Sequence, residues 1–500
     1  MSRFDWWDLL SLLGLVVVWF LLTVFRTDML PIQIWDEVRT SLSAYGMAHG
    51  EGWLVPRFEG VPDHWNDKPV LVFWSIAGLM RLGLPLLYAI RLPTFTAALL
   101  TLLLLWALGR YELRDRAAGL LAPLLVCTSK LYFGKHVART GDFDTTLILF
   151  VMCQIVAFWM AVRDPGPVRR AWFAAFGAAL VLSVMTKGVA GLFAPSGLAV
   201  AALVTGRLPK LLRHWQVWAI SIAAVGLVLA YYLSRELYDP GYLAAVWRYE
   251  LGGRMASVDP GFEKPFTFFI PILLRGGGLS VYLFPFAAWS LFGRDERRRF
   301  LVIACLLAAL CTFLVVSTAQ TKLGWYVAPV VPMLSLASAV GLADFAAWLR
   351  GRSGGRAARV ARWWSPAVLT LVLLGVLAAI NQNQRTDIYS EWAVQNGQAY
   401  YGAFFDALER EHVRHVTVID SGVQYQGAPV DYDPMLTLYA DVAGEHGMTV
   451  DVAHAGAPPP PGDMTATCDY ALIPQLLATP GFQVTSRNRW CIAGRLAAAQ

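Results

Sequence analysis

Four short polar breaks in an otherwise apolar chain carry the residue types that could do chemistry. The first is the stretch 31–40, where Asp36 and Glu37 are adjacent and Arg39 follows. The second is Asn66-Asp67-Lys68-Pro69, the third Arg139-Thr140-Gly141-Asp142-Phe143-Asp144, and the fourth Thr186-Lys187-Gly188. A carboxylate such as Asp36 can take a proton from a hydroxyl or amine, or orient that group for attack. It can equally cap the helix it opens, the commoner role for an isolated Asp. Lys68, ahead of a Pro-started helix, suits a phosphate, because the helix N-terminus adds its own positive end. The ordinary alternative is a lysine snorkelling to the membrane surface. Asp142 and Asp144 can orient a reactant or bind a divalent cation, or simply solvate a turn. Lys187 sits in a turn of about three residues between two apolar runs, where a cation needs an anionic partner. Arg254, Lys264, Lys322 and Tyr326 add to the same set from later breaks. Cations that hold a negative group and carboxylates that suit the other reactant together fit transfer from a phosphate leaving group.

The elements that position these residues are read from hydropathy. The 500-residue chain is 57% hydrophobic and only 15% charged, against about 25% in soluble proteins. Its mean hydropathy is +0.49. These values place it among polytopic α-helical membrane proteins. About eleven spans are expected: 9–25, 88–109, 117–133, 145–162, 171–185, 189–205, 216–233, one within 266–292, 300–318, one from the Gln320–Tyr326 turn to 349, and 364–380. No cleavable signal is expected at 11–25. Residues 37–49 read as an amphipathic helix lying in the interface, ended by Gly50 and Gly52. Residues 70–82 are apolar but too short to cross comfortably, and also read as interfacial.

Loops 110–116, 163–170, 207–213, 294–299 and 350–362 hold about eighteen Lys and Arg and alternate with the others. Under the positive-inside rule these loops are cytoplasmic, and all four polar breaks lie together on the outer face. The formal charge of +6 is thereby explained by topology, and nucleic acid is not an expected partner. An odd span count puts the tail outside as well. Two domains follow: residues 1–381 in the membrane, and 382–500 as a small α/β domain. Strands are expected at 415–420, 448–452, 470–473 and 489–494, with helices at 398–410 and 434–443. Cys468 and Cys491 fall in that domain, where an oxidising compartment would allow a disulfide. The other four cysteines fall in apolar runs.

No Walker A or Gly-rich dinucleotide loop is present, so an outward-facing site must draw its donor through the membrane, as a lipid-linked phosphate does. The ordered set Asp36-Glu37-x-Arg39, Trp53-x-Val-Pro56-x-Phe58-x-Gly60, Asp67-Lys68-Pro69, Arg91-Leu92-Pro93, Arg139 to Asp144, Thr186-Lys187-Gly188, Glu250 to Arg254, Lys264-Pro265-Phe266 and Thr321-Lys322-x-x-x-Tyr326 resembles the membrane-embedded GT-C glycosyltransferases. Within them it is most similar to the aminoarabinose lipid A transferases and the protein O-mannosyltransferases. The resemblance covers about residues 10–345 and departs at Asp67, where the family carries Glu, and in the doubled acids Asp142 and Asp144. It implies an undecaprenyl- or other polyprenyl-phosphate sugar donor and transfer with inversion. The acceptor would be lipid A or another glycolipid, a polysaccharide or a protein. By resemblance Asp36 is the base or acceptor-orienting acid and Asp144 or Asp142 the second acid. Lys68, Arg254 and Tyr326 would hold the phosphate with Lys187 beside them; Glu37, Arg39, Asp67 and Lys322 complete the expected substrate contacts. No cofactor is required, and a divalent cation remains open. The expected location is a bacterial inner membrane, with site and tail facing the periplasm. A transporter of lipid-linked sugars is the competing class, but it would need polar residues in mid-span, and the spans are nearly free of them.

Overall fold

The computed structural model describes residues 4–34, 36–164, 166–253, 264–351, 355–389, 397–422 and 432–497. The expected apolar runs are helical. In chain order the helices are α1 (Trp6–Thr23), α2 (Asp36–Ala48), α3 (Leu71–Arg81), α4 (Leu86–Ala107), α5 (Arg116–Cys127), α6 (Asp144–Val162), α7 (Arg170–Lys187) and α8 (Phe193–Val204). Later apolar helices include Trp215–Tyr238, Glu296–Thr318, Val330–Gly351 and Gly355–Tyr389. Eight helical stretches among the described residues are long and apolar enough to cross a membrane. The bent pair Phe266–Gly276 and Leu279–Leu291, which turns through 104°, makes a ninth.

The difference from eleven has a physical cause. The stretch Arg170–Val204 counts as one, interrupted at Gly188, whose φ of +55° closes α7 before the short turn Gly188–Leu192. Ser183 then meets Gly191, with Oγ 3.3 Å from the Gly191 carbonyl, so α7 and α8 are two expected segments within one helical stretch. α5 is shorter than its expected segment. Past Cys127, Leu131 N–H and Ser129 Oγ–H instead donate to the Gly276 carbonyl at the break of the bent pair, at 2.8 and 2.9 Å.

Close packing replaces the hydrophobic effect inside such a bundle, so small residues mark the contacts. A Cβ on Gly109 would lie 2.3 Å from the backbone of Gly119, and one on Gly197 would lie 2.4 Å from the Leu307 carbonyl. These approaches bring the turn just past α4 against α5, and α8 against Glu296–Thr318. α6 and the helix Val330–Gly351 are the most deeply buried of the spans among the described residues.

Four of the arginine-rich loops meet at one end of the bundle. Arg110 holds Asp8 at 2.5 Å. Arg298 bridges Asp115 at 2.9 Å and Asp344 at 2.6 Å. Asp164 gathers Arg169, Arg297 and, through its carbonyl, Lys210. The four polar breaks meet at the other end.

At that end α2 departs from expectation. It does not lie in an interface with a wet face. Glu37, Arg39, Thr40, Ser41 and Ser43 are all buried, under α3 and the helix Pro434–Glu445. Gly50 and Gly52 do end it, at φ of +106° and +95°. The C-terminal region forms a five-stranded sheet from β1 (His415–Asp420), β2 (Thr449–His454), β3 (Met464–Thr467), β4 (Phe482–Arg487) and β5 (Ile492–Leu496). Their order across the sheet is β2-β1-β3-β5-β4. β1 runs parallel to β2 and β3, while β5 is antiparallel to β3 and β4. Residues 470–473 are not a strand. Asp469 accepts from Ala471 N–H at 2.9 Å and starts a turn into the Pro-led helix Ile473–Ala478. Cys468 and Cys491 form a disulfide.

Candidate functional site

The site is built on a buried ion pair. Glu37 and Arg91 are both fully buried and 2.7 Å apart. Glu37 also accepts from Gln33 N–H and Gly141 N–H, each at 2.8 Å. Arg91 spends its other donors on the carbonyls of Thr27 (2.7 Å), Leu30 (2.9 Å) and Pro31 (3.0 Å). One satisfied pair thus joins the first break, α4 and the third break. A side chain at position 141 would put its Cβ 2.4 Å from Ile90, so the 139–144 turn closes only with glycine there. Glu37 is therefore a frame residue with its oxygens committed, and it does not line the pocket.

That frame sets Asp36 at the first turn of α2, part-exposed where Glu37 is fully buried. Asp36 is ion-paired with Arg39. The Arg39 guanidinium carbon stands over Trp65, 3.9 Å from the ring centre, and the group donates to the Trp65 carbonyl. Burial works against its charge, but Asp36, Tyr432 and Asp63 around it outweigh burial and hold it more firmly protonated than a free arginine. Asp142 lies beside this group. It accepts from Thr140 Oγ1, and its backbone carbonyl accepts from Thr94 at 3.2 Å.

Asp144 opens α6 and pairs with Lys187 at 2.6 Å. The Lys187 Nζ lies 5.2 Å from the centre of the Tyr326 ring. These three residues and Glu250 form the polar mouth of a narrow pocket whose walls are Leu147, Val151, Val189, Phe193, Val315 and Val316. Lys68 reaches the same mouth. Its Nζ is 3.1 Å from Asp67 and ion-paired with Glu250. The turn holding it is pinned from behind, Tyr242 donating to the Asp67 carbonyl at 3.0 Å and Arg235 to the Lys68 carbonyl at 3.3 Å.

Lys322 is elsewhere. Its ammonium is spent on the carbonyls of Ala319 and Lys264, at 2.5 and 3.0 Å, so it shapes the turn that presents Tyr326. Arg254 lies outside the described residues.

Sequence reasoning passed over His136. Its ring stacks on Trp325, centroids 3.8 Å apart and 11° from parallel, and its Nδ1 is 3.8 Å from Asp142. Nothing in the spacing of Lys135-His136 signals this, because Trp325 is remote in sequence. Glu250 was part of a motif without a role of its own, and it proves to be the partner of Lys68.

A second, wider cleft of about 700 Å³ lies between the first break and the C-terminal domain. Leu30, Ile32, Met80 and Leu87 form one wall; Tyr400, Asp406, Glu409, Tyr439 and Glu445 form the other. Tyr45 donates to Glu445 across it at 2.5 Å, and Tyr432 donates to Asp63 at 2.7 Å.

Known proteins match both the sequence and the fold. Residues 67–238 match the family described as Dolichyl-phosphate-mannose-protein mannosyltransferase. The undecaprenyl phosphate-alpha-4-amino-4-deoxy-L-arabinose arabinosyl transferase of Aeromonas salmonicida is 27% identical over 370 residues, covering 73% of this chain and 65% of that protein. The transferase 2 of the same name from Pseudomonas fluorescens is 26% identical over 327 residues, covering 64% and 54%. The chain spans between about half and two-thirds of the length of these relatives. The crystal structure of ArnT from Cupriavidus metallidurans bound to undecaprenyl phosphate superposes with a TM-score of 0.68 at 19% identity, over 99% of each chain. The apo state gives 0.64 at 18% identity, again over 99% of each. The expected resemblance to membrane-embedded glycosyltransferases thus holds in sequence, and the multi-pass helical fold with its small sheet domain holds in three dimensions.

Proposed function

We propose that this chain is a membrane glycosyltransferase that moves a sugar from a polyprenyl-phosphate carrier, of the undecaprenyl type, to an acceptor outside the cytoplasm. The observation that carries this reading is the mouth of the apolar pocket. Lys187 and Tyr326 stand at the end of a hydrocarbon-lined groove with Asp144 and Glu250, and Lys68 joins them through its ion pair with Glu250. An isoprenoid chain suits the walls, and its phosphate suits Lys68 and Lys187, whose present partners Glu250 and Asp144 are exchangeable anions. The names of the similar transferases support the same donor.

The chemistry follows from placement. An acceptor oxygen attacks the anomeric carbon from the Asp36 side and passes its proton to a carboxylate. The bond from that carbon to the phosphate oxygen breaks on the opposite face, which inverts the centre. Lys68, Lys187 and Tyr326 take up the charge that grows on the phosphate, and Arg254 is assigned to it by resemblance alone. Asp36 is the assigned base, Arg39 orients it, and Asp142 and Asp144 flank it. Asp67 keeps Lys68 in place.

The acceptor is read as lipid A or another glycolipid, entering by the wider cleft, with residues 382–500 as its outer wall and 1–381 as the transferase unit. The arginine-rich end faces the cytoplasm of a bacterial inner membrane, and the site end faces the periplasm. The mannosyltransferase family match keeps a protein acceptor as the second reading.

The test incubates purified protein in nanodiscs with a radiolabelled polyprenyl-phosphate sugar pool and a membrane extract. Label should leave the carrier, and the product should be a glycolipid. Label found on protein would select the second reading. Label that crosses the bilayer still on its carrier would replace the transferase with a transporter.

A further inference from the structure

Given the transfer reaction proposed above, we infer that Tyr432 of the C-terminal domain is a positioning residue for it. The Tyr432 hydroxyl satisfies Asp63 and so leaves Arg39 to orient Asp36. Tyr432 and Asp63 are each 5% exposed, and the hydroxyl donates to Asp63 Oδ2 at 2.7 Å. The Tyr432 ring lies against Phe58, centroids 4.4 Å apart, and meets Trp65 edge-on at 5.1 Å. A residue from the C-terminal domain is thus built into the wall of the site.

Asp63 is placed to matter to Arg39. Its other oxygen, Oδ1, accepts from the backbone N–H groups of Trp65 and Asn66, at 3.0 and 3.1 Å. Trp65 is the platform of Arg39: its ring lies under the guanidinium, and its carbonyl accepts from Nη1 at 3.3 Å. Asn66 Nδ2 donates to the Arg39 carbonyl, also at 3.3 Å. Asp36 and Asp63 therefore bear on one guanidinium, and both act on its charge. Arg39 Nε is buried and has no hydrogen-bond partner among the described residues, so the group has a donor to give. A buried carboxylate oxygen stripped of its partner carries a desolvation cost and draws a donor within reach. Without the Tyr432 hydroxyl, Asp63 becomes such a carboxylate, and its pull on Arg39 competes with Asp36.

The donor side of the site is held by other groups. Tyr242 and Arg235 pin the Lys68 turn, and Lys187 is paired with Asp144. Loss of the hydroxyl should therefore reach the step that uses Asp36 and spare binding of the carrier. Docking of the C-terminal domain then sets the carboxylate on which transfer depends.

The experiment uses the full chain in nanodiscs, a radiolabelled polyprenyl-phosphate sugar pool and a membrane extract, with donor binding measured on the same samples. Tyr432→Phe keeps the ring and removes the donor. It should slow transfer about tenfold or more, with donor binding unchanged within about twofold. Adding Asp63→Asn removes the competing charge, while the amide oxygen can still accept from the Trp65 and Asn66 N–H groups. The double variant should regain most of the lost rate. A merely structural role predicts the reverse, a second loss on top of the first. Tyr432→Phe within about twofold of the wild-type rate overturns the inference, as does a double variant no faster than Tyr432→Phe. Weakened donor binding with an unchanged rate per bound donor also overturns it, because Tyr432 would then support the carrier pocket. If Tyr432→Phe does not fold, the double variant, which leaves no bare buried charge, decides alone: transfer near the wild-type rate supports the inference and its loss overturns it. No transfer by wild type brings down the transferase reading together with this one, and needs no variant to be seen.

Discussion

The two ends of the helical bundle both bury charge, but they use it differently. At the arginine-rich end, acids are saturated by arginine forks. Asp8 receives two donors of Arg110, and Arg298 spans Asp115 and Asp344. Such planar, multi-donor pairs fix geometry and have little reason to exchange. At the site end Arg91 makes a comparable fork on Glu37, and that pair is the frame. The pocket itself is edged by lysines, Lys187 on Asp144 and Lys68 between Asp67 and Glu250. A lysine is a point charge on a flexible stem and can pass from a carboxylate to a phosphate. On the proposed reading, position in the bundle separates charge that holds the structure from charge available to a ligand.

The comparison can be broken by mutation. Arg91→Met should have the largest effect on stability. It strands Glu37 in a fully buried place, at a cost of about 3–5 kcal/mol, and should be seen as loss of monodisperse protein in detergent. Asp8→Asn should cost nearly as much, about 3 kcal/mol, yet the folded fraction should transfer sugar at the wild-type rate. Slowed transfer per folded molecule would show that the two ends are coupled.

The Cys468–Cys491 bridge closes 23 residues. Replacing both with Ser should lower C-terminal domain stability by about 3 kcal/mol in a chain-entropy account, read by limited proteolysis. The smallest effect concerns Asp433, the N-cap of Pro434–Glu445, whose carboxyl burial pushes up to about 6. A folded-state value raised above the unfolded one gives stability that is complete below pH 4 and lost as pH rises through 6. Asp433→Asn should therefore raise the unfolding temperature by a few degrees at pH 7.5, and the gain should vanish near pH 4.

Hydropathy and arginine placement made the bundle legible, because membrane insertion leaves a composition signal in every span. That Lys187 has an anionic partner was legible because a charge at membrane depth is costly, and Asp144 is that partner. What could not be read was direction. Glu37 and Asp36 are neighbours in sequence, yet the helix turns one into the frame and leaves the other toward the site. Lys322 looked like a phosphate ligand until its ammonium was found on two backbone carbonyls. α2 read as interfacial because its cover, Pro434–Glu445, lies nearly four hundred residues away in the chain. His136 carried no pattern at all. Each of these depends on tertiary placement.

The central claim is that Asp36 and Lys187 act on the reaction while Asp8 and Arg91 only hold the fold. Single-turnover transfer from a labelled polyprenyl-phosphate sugar, with folded protein in excess, tests it directly. Asp36→Asn should slow transfer by about a hundredfold or more with donor binding retained, and Lys187→Ala should lose donor binding as well. Transfer by Asp36→Asn within about threefold of wild type, less than removal of a general base costs, would contradict the account.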